Sequence, residues 1–206
     1  RQRRHLIGHM LYDVMSNMMF EGSDDKTTIF ESLIESSKQY GLKQIIADDI
    51  DRNKLSYQKI LLGSFLLGYR IQQKTAYAER VGILLPNASG SIVTFFACLA
   101  YGRVPAMLNF STGTKNIISS CKAAKISIVY TSRRFIEKGD FHHFVTALIE
   151  NGIHVIYLED VRSSLNILDK AWGYIASLFP KRFYKICNHN KIPNAHEPAV
   201  VLFTSG

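Results

Sequence analysis

The chain has 206 residues, of which 47% are hydrophobic, 20% charged and 11% aromatic. This size and composition support a substantial core and exclude disordered, collagen-like and low-complexity proteins. The formal net charge is +8, but the basic residues are spread along the chain, which argues against a nucleic-acid-binding protein. The three cysteines, Cys98, Cys121 and Cys187, are widely spaced and indicate a reducing compartment.

The predicted elements begin with two helices. Eight apolar residues between Leu6 and Met19 recur at helical spacing and form one apolar stripe. We expect this stripe to dock on another surface, either the rest of the fold or a second copy of the chain. A second helix is predicted over 27–40, ending at Gly41, and a short strand over 44–47 and an acidic turn over 48–51 follow it.

From residue 57 onwards, predicted helices and strands alternate. The helices cover 57–73, 91–101, 114–124, 141–150 and 163–178, and the strands cover 81–85, 104–108, 126–131, 153–158 and 199–203. The strands are apolar throughout, which is typical of parallel strands covered on both faces. The prediction is an α/β fold with a layered, mostly parallel sheet and helices on both faces. The last strand, 199–203, is expected inside that sheet.

Two segments raise the question of a membrane. Residues 81–102 contain no charged side chain, but the turn residues Pro86-Asn87-Ala88-Ser89-Gly90 in their middle predict a strand, a turn and a helix rather than a membrane span. Residues 170–191 contain five basic and no acidic residues, interleaved with aromatic ones. This segment is interpreted either as a solvated surface or as a patch that lies against a membrane.

The commonest catalytic and nucleotide-binding motifs are absent from the sequence. There is no Gly-x-Ser-x-Gly elbow, no Walker A loop and no Gly-x-Gly-x-x-Gly after a strand, and the histidines and cysteines lack zinc-site spacing. These patterns therefore identify no catalytic residue and no metal ligand. The remaining candidate is Thr204-Ser205-Gly206, directly after the last predicted strand, where backbone N–H groups can converge on a phosphate.

Three segments resemble motifs of the adenylate-forming acyl synthetase superfamily, which includes acyl-CoA synthetases, luciferases and peptide-synthetase adenylation domains. Residues 55–60 (LSYQKI) resemble its first core motif. Residues 81–87 (VGILLPN), continuing to 100–109 (AYGRVPAMLN), resemble its second. Residues 197–206 (EPAVVLFTSG) resemble the strand that enters the phosphate-binding loop. The resemblance implies the N-terminal part of an adenylate-forming synthetase fold.

A narrower resemblance rests on residues 105–113 (PAMLNFSTG), 131–139 (TSRRFIEKG) and 155–160 (VIYLED). These segments are similar to the bacterial bifunctional 2-acylglycerophosphoethanolamine acyltransferase/acyl-acyl-carrier-protein synthetases. That family's acyltransferase module carries His-x4-Asp, which the chain lacks. We therefore expect residues 1–22 to be a linker helix after a missing acyltransferase module. Residues 23–206 would be the N-terminal portion of the AMP-binding domain, cut at the phosphate-loop motif.

The resemblance implies a ligase that joins ATP and a long-chain fatty acid into an acyl-adenylate and passes the acyl group to acyl carrier protein. The acyltransferase module would then transfer it to a lysophospholipid at the cytoplasmic side of the bacterial inner membrane. By the same resemblance, Thr204, Ser205 and Gly206 would open the loop that holds the ATP phosphates, with Mg²⁺ as cofactor of the full-length enzyme.

Residues 1–206 alone are expected to be soluble, without a transmembrane segment, without a bound cofactor and inactive, because the other catalytic residues would lie downstream. A homodimer through the opening helix is a further expectation, and no nucleic-acid partner is expected. Two other functions stay open. The chain could belong to a synthetase-like enzyme that uses CoA as acceptor, or it could be a non-catalytic module that binds a membrane or a partner protein.

Overall fold

A five-stranded sheet forms the centre of the part of the chain that the structure describes. The structure is a computed structural model, and it describes residues 10, 12–16, 27–49, 52–188 and 197–203. The strands are β1 (Ile45–Asp48), β2 (Lys54–Ser56), β3 (Arg80–Ile83), β4 (Val104–Met107), β5 (Ile128–Thr131), β6 (His154–Tyr157) and β7 (Val201–Leu202). The helices are α1 (Ile29–Tyr40), α2 (Tyr57–Gln72), α3 (Ser89–Ala100), α4 (Thr114–Ala123), α5 (Arg133–Gly139), α6 (His142–Glu150), α7 (Leu158–Ser163), α8 (Ile167–Leu178) and α9 (Pro180–Cys187).

The sheet is parallel and covered on both faces. Its order is β6-β5-β3-β4-β7, and all four neighbouring pairs are parallel. Alternate residues of β5 show the two faces: Tyr130 packs in a core with α2 and α3, whereas Val129 packs in a second core with α4 and α6. The predicted α/β class, with a parallel sheet and helices on both faces, is therefore confirmed.

Local sequence signals explain where several helices begin and end. Thr28 and Glu31 form a capping box at the start of α1, and α1 ends at Gly41, whose φ of +90° suits a residue without a side chain. Ser56 caps α2 by accepting a hydrogen bond from the Lys59 N–H at 3.3 Å. The uncharged segment 81–102 folds as β3, a turn and α3, as predicted. No helix among the described residues has the length and apolar character required to cross a bilayer.

Four features differ from the predicted elements. Strand β2 was not expected, and it pairs antiparallel with β1 in a separate two-stranded sheet. Helices α5 and α7 were not expected either, because their seven and six residues are too few to show a helical period. No helix is predicted after residue 178, but α9 begins at Pro180, whose missing N–H costs nothing at the first position of a helix.

The fourth difference concerns the last strand. A strand over 199–203 was expected inside the sheet, but β7 has only two residues and lies at the end of the described strand order, beside β4. Leu202 is 69% exposed. Among the described residues the prediction of an interior strand is therefore wrong, because an apolar composition predicts that a strand is covered but does not give its number of neighbours.

The opening helix is described only in part. Residues 12–16 are helical, and the side chains of Met10, Val14 and Met15 are all more than half exposed. These three side chains are therefore not buried against the rest of the fold. Docking of the stripe on a second copy stays a prediction, and the remaining stripe residues lie outside the described part of the chain.

Helices α2 and α3 cross closely because α2 carries glycines on the contact face. A Cβ atom added to Gly68 would lie 2.6 Å from the Ala97 carbonyl oxygen and 2.3 Å from the Tyr101 ring. Tyr101 is 1% exposed, and its hydroxyl donates to the Phe65 carbonyl at 3.0 Å. At Gly63 the nearest atoms would belong only to the Val93 side chain. Gly68 therefore sets the distance between the two helices.

We expect Gly68→Ala to destabilise the fold by about 1–3 kcal/mol, because the added methyl group meets a backbone oxygen that cannot move by itself. Gly63→Ala is the matched control. The nearest atoms to the added methyl group there belong to the Val93 side chain and not to the backbone, and alanine gains up to about 1 kcal/mol of helix propensity over glycine, so we expect a smaller loss. Urea denaturation of both variants tests the difference. Equal free energies of unfolding for the two variants would contradict the role assigned to Gly68.

Candidate functional site at the carboxyl edge of the sheet

The carboxyl ends of β3 and β5 lie side by side at a change in direction of the chain. From β3 the chain runs through α3 to β4 on one side, and from β5 it runs through α5 and α6 to β6 on the other side. In parallel α/β sheets, ligands bind in the crevice at such a point, outside the carboxyl ends of the strands. The topology therefore places the candidate site at this edge.

A buried hydrogen bond joins the two strand ends. The Thr131 hydroxyl donates to the Leu84 carbonyl at 2.7 Å, and the Leu84 N–H donates to the Tyr130 carbonyl at 3.0 Å. Both Leu84 and Thr131 are fully buried. These hydrogen bonds satisfy both backbone groups of Leu84 and connect β3 to β5 beneath the crevice.

A carboxylate from the connection between β1 and β2 lies at the start of α3. The residue before α3, Ala88, supplies no side-chain cap. Instead, Asp49 accepts hydrogen bonds from the Ser89 hydroxyl at 2.6 Å and from the Ser89 N–H at 3.3 Å. Asp49 also accepts from the Asn53 N–H at 2.8 Å. The hydrogen bond from the Ser89 side chain, followed by that from Asn53, lowers the pKa of Asp49 from 3.8 to about 2.

A second carboxylate lies at the start of α5. Glu159, in the first turn of α7 after β6, accepts hydrogen bonds from the Ser132 hydroxyl at 2.8 Å and from the Arg133 N–H at 3.1 Å. Burial raises the pKa of Glu159, but these hydrogen bonds outweigh it and the pKa lies below its ordinary value. An anionic side chain at a helix N-terminus is stabilised there by the amide groups and the helix dipole.

The segments that follow β4, β5 and β6 contact one another at the carboxyl edge. Arg133 forms an ion pair with Asp160 at 2.6 Å, and its guanidinium lies 4.1 Å from the centre of the Tyr157 ring. Phe110, after β4, packs edge-on against Phe135 of α5 with ring centres 5.1 Å apart. The segments 105–113, 131–139 and 155–160, which carry the narrower resemblance, therefore all reach the carboxyl edge. The sequence showed these segments but gave no sign that their side chains pair.

The predicted phosphate-binding residues Thr204, Ser205 and Gly206 lie outside the described residues. They follow Phe203 directly in the sequence, and β7 before it runs parallel to β4. Helix α4 follows β4, and its cap residue Gly113 supplies no side-chain hydrogen bond to the first amides. Among helices α3, α4 and α5, which begin at this edge, α3 and α5 have a carboxylate of the chain at the first turn.

A protein-family comparison identifies the fold. The AMP-binding enzyme family model matches residues 34–206, which is most of the chain. The chain belongs to the AMP-binding enzyme family. Its sheet and flanking helices correspond to the N-terminal subdomain of adenylate-forming enzymes. The matched region begins within α1 and includes the whole parallel sheet.

Solved structures show the same fold at low sequence identity. VinN superimposes with a TM-score of 0.64 and 17% identity, over 88% of this chain and 43% of VinN. The N-terminal subdomain of Klebsiella oxytoca NpsA superimposes with a TM-score of 0.59 and 16% identity, over 88% of this chain and 40% of the NpsA chain. A protein from Rhodopseudomonas palustris, assigned as a long-chain-fatty-acid CoA ligase, superimposes with a TM-score of 0.53 and 17% identity. The superposition covers 65% of this chain and 34% of that protein. The chain spans less than half the length of each of these structures.

Residues 100–109, the second part of the second family motif, include an arginine with a structural role at the amino edge of the sheet, opposite the crevice. Arg103, 9% exposed, lies just before β4. Its guanidinium donates to the Thr75 hydroxyl at 3.1 Å, to the Thr75 carbonyl at 2.6 Å and to the Tyr101 carbonyl. Arg103 therefore connects the segment after α2 to the start of β4 through hydrogen bonds. This part of the motif is remote from the carboxyl edge.

A cavity of about 400 Å³ also lies at that opposite edge. Its lining includes Arg80 and Val104, the first residues of β3 and β4, together with Tyr184 of α9. Because the strands are parallel, this cavity is separated from the crevice by the length of the sheet. The described residues contain no group of three or more His, Cys, Asp or Glu side chains that could hold a metal ion.

We expect Asp49→Ala to lower the melting temperature at neutral pH, because the start of α3 loses its acceptor. The folded-state pKa of about 2 lies below the ordinary value of 3.8. The stabilising contribution is therefore present above pH 3.8 and is lost as pH falls through about 2. Thermal unfolding followed by circular dichroism at neutral and acidic pH tests this dependence.

The control is Asp48→Ala, which removes an exposed carboxylate one position away. The melting temperatures of Asp49→Ala and the parent protein should converge at acidic pH, whereas Asp48→Ala should differ little from the parent at any pH. A constant difference for Asp49→Ala across the pH range would contradict the assigned interaction.

Proposed function

We propose that the chain is part of a ligase that activates a long-chain fatty acid with ATP. The match to the AMP-binding enzyme family over residues 34–206 carries this proposal. The fold likeness to the Rhodopseudomonas palustris protein assigned as a long-chain-fatty-acid CoA ligase is consistent with an acyl substrate. In the first reaction, a carboxylate oxygen of the fatty acid attacks the α-phosphorus of ATP. The bond to pyrophosphate breaks, and acyl-adenylate forms.

We place the ATP phosphates at the loop that begins with Thr204. Two helix N-termini at the carboxyl edge, those of α3 and α5, are already neutralised by Asp49 and Glu159. A phosphate at either position would meet a carboxylate. The loop after β7 follows a strand at the same edge and offers two hydroxyls, those of Thr204 and Ser205, and the open backbone of Gly206.

The residues that are present fit an ATP site at this edge in two respects. The strand before the loop is parallel to its neighbour, so its carboxyl end is directed to the same side as the other strand ends. The first amides of α4, after the neighbouring β4, have no side-chain cap. Mg²⁺ would neutralise phosphate charge when bound. Its ligands would be phosphate oxygens and residues outside the described part, where we place the other catalytic groups.

We further propose that acyl carrier protein accepts the acyl group and that a lysophospholipid, 2-acylglycerophosphoethanolamine, is the final acceptor in a separate acyltransferase module. The narrower sequence resemblance supports this assignment. The segments that carry it converge at the carboxyl edge, as the Arg133–Asp160 pair and the Phe110–Phe135 contact illustrate. Such an enzyme would act at the cytoplasmic side of the bacterial inner membrane, with residues 1–22 as a linker and a homodimer contact through that helix.

We expect Ser205→Ala in the full-length enzyme to raise the KM for ATP about tenfold or more. A hydrogen bond between a hydroxyl and a charged phosphate contributes about 1.5–3 kcal/mol, and about 1.4 kcal/mol corresponds to a factor of ten. Pyrophosphate exchange with palmitate measures the effect, and residues 1–206 alone should show no exchange. Ser119→Ala, an exposed serine on α4, is the control. An unchanged ATP dependence combined with a lower melting temperature would show that Ser205 is only structural.

The acceptor is tested by offering the full-length enzyme acyl carrier protein or CoA with the same fatty acid. We expect the carrier protein that bears phosphopantetheine to be acylated with a kcat/KM at least about tenfold above that for CoA. Carrier protein without phosphopantetheine is the control, because it lacks the thiol. Mass spectrometry identifies the product. Preference for CoA would support the alternative synthetase-like enzyme, and no activation of any fatty acid would support a non-catalytic binding module.

A further inference from the structure

Helix α8 presents its large aliphatic side chains to solvent, whereas its Trp172 packs against Tyr69 and Phe183. Ile167 is 81% exposed, Leu168 is 75% exposed, and Ile175 and Leu178 are also exposed. At 100° per residue these four positions fall within one arc of about 100° on the helix. An amphipathic helix of a globular protein has the reverse arrangement, with large apolar residues towards the core.

The inner face of α8 explains why the helix cannot turn its apolar stripe inwards. Gly173, Ala176 and Ser177 face the core and are buried. A Cβ atom at Gly173 would lie 2.6 Å from the Leu66 side chain of α2. These small residues permit close contact with α2, and larger side chains would not fit between the helices.

Two polar interactions fix the orientation of α8 in addition. Asp169 forms an ion pair with Arg70 of α2 at 2.8 Å. Asp169 and Asn166 also form a capping box at the start of the helix. The outward direction of the apolar stripe is therefore part of the folded structure.

Helix α9 adds positive charge beside this stripe. The exposed side chains of Lys181, Arg182 and Lys185 lie on α9, and exposed Lys170 lies on α8. Residues 170–188 contain no acidic side chain. Phe179, at the corner between the two helices, is 59% exposed. A surface with exposed apolar side chains and basic residues, and without acidic ones, suits contact with an anionic, partly apolar surface.

We propose that this α8–α9 surface, formed by the exposed side chains of residues 167–186, docks on membranes that contain anionic lipids. The apolar stripe and Phe179 enter the boundary between headgroups and acyl chains, and the basic side chains bind lipid phosphates. A second copy of the chain is a poorer occupant, because a symmetric contact would bring the basic residues of α9 close to those of the other copy. The proposal does not depend on the proposed ligase activity.

Flotation of the full-length protein with lipid vesicles tests the proposal. Vesicles of phosphatidylcholine with phosphatidylglycerol should bind the protein, and added salt should weaken the binding because it screens the charges. The double variant Ile175→Asn/Leu178→Asn should reduce the bound fraction about fivefold or more. The charge-reversal variant Lys181→Glu/Lys185→Glu should abolish the preference for vesicles with phosphatidylglycerol over phosphatidylcholine alone.

Matched controls lie on the opposite face of the sheet. Ile149 of α6 is 59% exposed, and Lys122 of α4 is also exposed. Ile149→Asn and Lys122→Glu should leave vesicle binding unchanged, and all variants should keep the parent melting temperature. Unaltered binding of the α8–α9 variants, or absence of binding to anionic vesicles, overturns the proposal.

A photo-crosslinking measurement locates the contact directly. A benzophenone amino acid in place of Leu178 should crosslink to lipid in anionic vesicles, whereas the same substitution at Ile149 should not. A crosslink from position 178 to a second copy of the protein or to another protein, without any crosslink to lipid, shows that the surface is a protein interface and overturns the lipid proposal. Pyrophosphate exchange by the same variants tests the ligase proposal separately.

Discussion

The first amide groups of a helix require acceptors, and this requirement shapes the carboxyl edge of the sheet. Asp49 supplies the acceptor for α3 from the connection that follows β1, and Glu159 supplies it for α5 from the first turn of α7. Each carboxylate comes from a part of the chain distant in sequence from the helix it caps. The same contacts therefore neutralise the helix ends and fix the loops around the crevice. They also leave the loop after β7 as the place where we propose phosphate binding.

The motifs of the AMP-binding enzyme family have different roles in different parts of the fold. Residues 55–60 start α2, where Ser56 caps the helix and Tyr57 and Ile60 are buried. Arg103, in the second motif, joins the end of α2 to the start of β4 through buried hydrogen bonds. Arg103 therefore keeps the end of α2 and the sheet in register at the edge opposite the crevice. The resemblance in these two motifs thus reflects shared packing as well as shared chemistry.

The packing of α2 has consequences on both of its sides. Gly68 permits close contact with α3, and Gly173 of α8 permits close contact with α2 from the other direction. In α8 the small residues face inwards and the large aliphatic residues remain exposed. Close helix packing at one surface therefore produces an exposed apolar surface at the other. The basic side chains of α9 beside it make an anionic lipid surface the occupant that we propose.

The sequence by itself determined the α/β class and the main helices and strands, because continuous apolar strands alternate with segments of helical period. Its motifs also indicated the family, as the match over residues 34–206 shows. Only the tertiary structure decided that β7 lies at the edge of the described sheet, that Asp49 caps α3 and that the stripe of α8 faces outwards. Strand order and capping by distant carboxylates depend on contacts between residues far apart in the chain. Hydrophobic periodicity shows that a helix has an apolar face, but the neighbouring helix decides whether that face is buried.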